Sequence, residues 1–115
     1  MSDYAALLDA LTRLRGIRGA MVVALGDGLP VAESLSGGLK GTALAAMAAT
    51  LASRSTDLAA LGGLGTPRFL HLQSSDGSLL VAPTGHDLVL VAITGRDVPL
   101  GLLRLEMLRM AERMG

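Results

Sequence analysis

The sequence predicts an α+β fold. It is a three-layer α/β/α sandwich: a five-stranded antiparallel sheet with one long helix on one face and two terminal helices on the other, in the order αββαβββα. Three observations predict it. Short strand-length segments are joined by tight turns, two of them with Asp-Gly steps that favour hairpins, so neighbouring strands run antiparallel. The runs Met21 to Leu25, Leu79 to Ala82 and Leu88 to Ile93 are apolar without alternation. An antiparallel strand with one wet face would alternate, so these strands are covered on both faces. Finally, 50% of the 115 residues are hydrophobic and 17% are charged, where a typical soluble domain has about 25% charged. A chain of this length forms one domain, residues 1–115, with a core that needs no disulfide.

The elements follow in order. Asp3 to Arg15 reads as a helix, capped by Ser2 or Asp3, with Tyr4, Leu7, Leu8, Leu11 and Leu14 on one face. Asp9 and Arg13 form an i,i+4 pair on the other, and Gly16 ends the helix. Gly19 to Leu25 is a strand, Gly26-Asp27-Gly28 a turn, and Leu29 to Ser34 the returning strand. Pro30 marks that returning strand as an edge. After Gly37 and Gly38, Lys40 to Gly62 is the longest helix. Arg68 to Ser74 and Ser78 to Ala82 form a hairpin around Ser75-Asp76-Gly77, and Asp87 to Thr94 is the last strand. Asp97 caps a final helix that runs to Met114, with Pro99 in its first turn. Its methionines Met107, Met110 and Met114 pack in the core, and Leu102, Leu105 and Leu108 extend its contacts to the sheet and the first helix.

Several functional classes find no support. The mean hydropathy of +0.52 raises a membrane reading. The longest charge-free run, Gly41 to Ser53, falls short of the roughly 20 apolar residues a spanning helix needs. The opening residues Met1-Ser2-Asp3-Tyr4 show no signal-peptide pattern, so a cytoplasmic location is expected. Ten basic and ten acidic residues cancel, which argues against nucleic acid as a partner. With no cysteine and two isolated histidines, His71 and His86, no metal site is expected. The segment from Gly37 to Thr42 lies where a phosphate loop would, but Lys40 precedes Gly41 and the Gly-Lys-Ser/Thr order is absent. Ser53 and Ser55 have no base nearby in sequence, and Asp27 and Asp76 are explained as turn residues. No catalytic residue and no cofactor site is expected.

The long middle helix is the informative element. On a helical wheel, Leu44, Met47, Leu51 and Leu58 share a face predicted to lie on the sheet. The opposite face carries Thr42, Ala45, Ala46, Ala49, Ala52, Ser53, Thr56 and Ala60, small and uncharged. A surface helix normally bears charge there. This face therefore predicts a close helix–helix contact across a homodimer two-fold, centred on Ala45, Ala49, Ser53 and Thr56. Phe69, His71 and Gln73 extend it along an edge strand with no internal proline or lysine.

The residues also carry a resemblance. Leu14-Arg15-Gly16-Ile17-Arg18-Gly19-Ala20, then Val22-Val23, then Asp27-Gly28-Leu29-Pro30-Val31-Ala32 resemble the opening of roadblock, or dynein-light-chain-like, proteins. The likeness continues through the Ala-rich helix, the Asp76-Gly77 hairpin and Leu100-Gly101-Leu102-Leu103-Arg104. It implies a roadblock/profilin-like sandwich and a dimer formed through the middle helix and the strand after it. It also implies a non-enzymatic regulator or adaptor that binds a small Ras-like GTPase and modulates its cycle. Thr42, Ala46, Ser53, Arg54 and Asp57 are then candidates for contacting the GTPase. Arg54 is expected to be held by Asp57 rather than to act as an arginine finger. The alternatives are a scaffold subunit that leaves nucleotide turnover unchanged, and a small-ligand sensor.

Overall fold

A computed structural model describes residues 3–114. Ser2, the alternative cap, lies outside them. The elements are α1 (Tyr4–Thr12), β1 (Ile17–Ala24), β2 (Pro30–Leu35), α2 (Gly41–Leu61), β3 (Leu70–Ser74), β4 (Gly77–Pro83), β5 (Leu88–Thr94) and α3 (Leu100–Met114). The expected order αββαβββα is the observed one. The strands form one antiparallel sheet in the spatial order β2-β1-β5-β4-β3.

Strand parity builds two cores, one on each face of this sheet. Ala20, Val22, Leu80, Ala82, Leu90 and Ala92 point to α1 and α3, where Leu8, Leu11, Leu103 and the methionines of α3 meet them. Met21, Val23, Val81, Val89 and Val91 point the other way, to α2. Central strands covered on both faces have no side for polar residues, which accounts for their unbroken apolar runs. β2 and β3 are the two edges, as Pro30 and the bare segment at Phe69 to Gln73 predicted.

The ends of several elements differ from expectation. The Asp3 carboxylate accepts from the amide of Ala6 at 3.1 Å and caps α1, and Arg13 pairs with Asp9 at 2.7 Å. The helix nevertheless stops at Thr12 rather than Arg15. β1 starts two residues early, at Ile17, and a register shift between Ile17 and Gly19 leaves Arg18 as an extra residue against β5. Asp97 does not cap α3. The first intrahelical bond there runs from the Leu103 amide to the carbonyl of Pro99, so Pro99 sits at the helix boundary. Leu102 and Leu105 are exposed rather than packed between sheet and first helix, because the inward face of α3 is centred on Leu103, Met107, Met110, Ala111 and Met114.

The largest correction concerns α2. The helix is rotated about its axis from the expected orientation, so that part of each predicted face changes sides. Ala45, Ala48, Ala49 and Ala52 are buried against the sheet, while Met47 and Leu58 are each 69% exposed. The physical reason is complementarity of size. The sheet presents Met21, Val23, Val89 and Val91, which stand tall, and alanines let the helix axis come close enough to cover them. Leu44 and Leu51 are half-buried on the flank of that contact.

Candidate interaction surface

The surface is set by where α2 lies. It packs mainly over β1 and β2, and less over β4. On the far half of the same sheet face, Leu70 and Leu79 are half-buried and Leu72 is 54% exposed. Leu72 stands directly opposite Leu79 in the β3–β4 ladder. Next to this thinly covered half runs the outward face of α2, with Met47, Arg54, Leu58 and Leu61 at spacings of one or two helical turns. Leu61 is 88% exposed. Large aliphatic side chains this exposed, on adjoining helix and sheet surfaces, form an apolar patch of the kind that marks an interaction site.

Of the residues predicted at a dimer interface, the structure divides two groups. Ala45, Ala49 and Ala52 are buried by the chain's own sheet and are unavailable to a second chain. Ala46, Ser53, Thr56 and Ala60 are exposed on α2. On β3, His71 and Gln73 are exposed at the open edge, and His71 Nε2 lies 3.0 Å from the Ser78 hydroxyl on β4. Phe69, just before β3, is half-buried beneath the guanidinium of Arg104, which stands 5.4 Å from the ring centroid. The wheel could not find Met47, Leu58 and Leu61, because an aliphatic stripe at helical spacing is by default a core stripe.

Ala46, Ser53, Arg54 and Asp57 do come together. With Thr50 they line one wall of an open groove of about 500 Å³, whose other wall is the β1–β2 hairpin from Leu25 to Gly28. The hairpin is held by the Leu29 amide donating to the Asp27 carboxylate at 3.0 Å, and by the Gly26 amide donating to Asp87 at 3.2 Å. Gly28 brings the tip against the helix: a side chain there would lie 3.5 Å from the Ala46 Cα. Thr42 shares this helix face but is not in the groove lining. The expected Arg54–Asp57 pair does not form; the ion pairs among the described residues are Asp9–Arg13 and Glu106–Arg109. Three residues apart, Arg54 and Asp57 both extend into solvent, where pairing gains little against side-chain entropy.

Among the described residues there is no group of three or more His, Asp or Glu side chains placed to hold a metal ion. No helix among the described residues is long and apolar enough to cross a membrane.

The Roadblock/LC7 domain model matches residues 4–94, from the first residue of α1 to the last of β5. The chain belongs to the Roadblock/LC7 family. A relative in Methanocaldococcus jannaschii, the uncharacterized protein MJ1340, is 35% identical over 108 residues, covering 94% of this chain and 93% of the relative. Among solved structures, a Roadblock/LC7 domain from Streptomyces avermitilis superimposes with a TM-score of 0.88 at 23% identity, covering 98% of this chain and 95% of that one. MglB of Myxococcus xanthus superimposes with a TM-score of 0.86 at 24% identity, covering 95% and 89%. The Roadblock/LC7 fold therefore holds over nearly the whole chain, α3 included.

Proposed function

We propose that this Roadblock/LC7 protein is a non-catalytic homodimeric regulator or adaptor for a small Ras-like GTPase, acting in the cytoplasm as one domain over residues 1–115. The observation that carries the dimer is the apolar surface made by Met47, Leu58 and Leu61 on α2 together with Leu72 on the open β3 edge. A second copy related by a two-fold axis covers both at once. Its α2 lies against this α2, and its β3 continues the sheet and closes the edge. The interface so formed uses Met47, Leu51, Leu58 and Leu61, with Ala46, Ser53, Thr56 and Ala60 flanking, and Phe69, His71 and Gln73 along the strand.

The GTPase-binding part of the reading rests on the family resemblance and on the groove beside α2 that gathers Ala46, Ser53, Arg54 and Asp57. Two such grooves flank the two-fold. A GTPase seated on the axis gives one GTPase per dimer, and modulation then comes from positioning the GTPase's own switch segments. The test has two readings. Sedimentation gives the mass of the protein alone. GTP turnover by a small Ras-like GTPase of the same organism is then measured with and without the protein. A dimer that binds the GTPase and changes its turnover is the expected result. Binding with unchanged turnover favours the scaffold reading, and a monomer that binds no GTPase removes both.

A further inference from the structure

A cleft of about 730 Å³ opens at the end of the sheet where the α2–β3 loop crosses from one helical layer to the other. Its walls come from both layers. Ala52 and Thr56 of α2 stand on one side, Leu105 and Leu108 of α3 on the other, with Leu70 and Val89 at the strand ends between them. The volume falls within the roughly 300–1,000 Å³ of small-molecule sites. The apolar lining is aliphatic. Neither Tyr4 nor Phe69 reaches it, so a flat aromatic ligand finds no ring to stack on. A flexible hydrocarbon chain needs none.

The loop side of the cleft offers a cation for an anionic head. Arg68 of the α2–β3 loop and Arg109 of α3 both line it, with His86 from the β4–β5 turn and one carboxylate, Glu112. Arg109 is engaged by Glu106 at 3.4 Å. Arg68 is exposed, and no ion pair among the described residues involves it. We infer that this cleft binds an aliphatic carboxylate of medium chain length, its tail along Leu70, Leu105 and Leu108 and its carboxylate at Arg68. The cleft borders the surface proposed for the dimer, with Thr56 on both, but its test reads ligand binding by the chain and does not depend on association or GTP turnover.

The experiment is calorimetric titration of the wild-type protein with hexanoate, octanoate, decanoate and dodecanoate below their micelle concentrations, with decanol as the uncharged control. Binding is expected at one ligand per chain, with Kd tightening about fourfold per methylene until the cleft is full. Arg68→Gln, a change at an exposed loop position, should weaken decanoate roughly tenfold and leave decanol unchanged. Leu108→Trp, which fills the aliphatic wall, should weaken both. The absence of saturable decanoate binding at millimolar concentration overturns the proposal. So does binding with no dependence on chain length, or a decanoate Kd that Arg68→Gln leaves unmoved.

Discussion

The amide of Gly95 donates to the carbonyl of Gly16 at 2.9 Å, tying the α1–β1 turn to the β5–α3 turn. Both turns must come close for α1 and α3 to share the Leu8–Leu103 core. Gly16 makes this possible with φ at +89°, and a side chain there would run into the Asp97 carbonyl oxygen and stand 2.9 Å from the Val98 Cβ. Gly16→Ala combines left-handed strain with a clash against backbone that cannot move aside. It should cost at least about 2 kcal/mol, measured by urea denaturation. A loss below about 0.5 kcal/mol would mean that the two turns separate freely.

Gly101 presents the reverse case. It lies in the first turn of α3, exposed, with no positive φ, and a side chain there would meet nothing within 4 Å. Gly101→Ala removes backbone freedom from the unfolded chain at no steric cost. It should stabilise by roughly 0.5–1 kcal/mol, seen as a higher denaturation midpoint at unchanged slope.

The rotation of α2 separates folding from association. Ala49 is 7% exposed, and its methyl group lies where a side chain at Gly28 would be 3.7 Å away. Ala49→Arg drives a long cation into the helix–sheet contact. It should cost about 3 kcal/mol or more and lower the melting temperature sharply, whatever it does to association. Met47→Glu and Leu58→Glu place a charge on a face that the single chain leaves in solvent. Each should leave the monomer's stability within about 0.5 kcal/mol and shift sedimentation from dimer to monomer. If both charged variants still sediment as dimers, the outward face of α2 is not the interface.

That rotation also marks what the sequence could and could not convey. The order of elements, the antiparallel sheet and both edges were legible, because apolar runs, Asp-Gly turns and Pro30 act locally and each had one physical reading. The orientation of α2 was not. Alanine and leucine are both apolar, and periodicity identifies two stripes without saying which one the sheet takes. The choice lies in size complementarity with Met21, Val23, Val89 and Val91, which are distant in sequence. The groove was partly legible: Ala46, Ser53, Arg54 and Asp57 follow from helical spacing, but the hairpin wall at Gly28 is a tertiary contact. The cleft under the α2–β3 loop left no local signal, since its lining is drawn from segments as far apart as Leu25 and Glu112.

Arg54 gives the sharpest test of mechanism. It is exposed, has no ion pair among the described residues, and lies on the same helix face as Met47, Leu58 and Leu61. Freed from Asp57, it has the mobility that an arginine finger would need. Arg54 stands where the proposed dimer seam meets the groove proposed for the GTPase, and the proposed modulation comes from the GTPase's own switch segments, so it is expected to support association and not to supply a finger. Arg54→Ala should then weaken the dimer, read as a rise in the dissociation constant by sedimentation. At saturating dimer it should leave GTP turnover by the bound GTPase within about tenfold. Arg68, on the loop before β3, should behave alike for turnover. An arginine finger contributes about 10³–10⁵ in rate. A loss of that size in either variant, with dimer and GTPase binding intact, would show that the protein supplies a catalytic group after all.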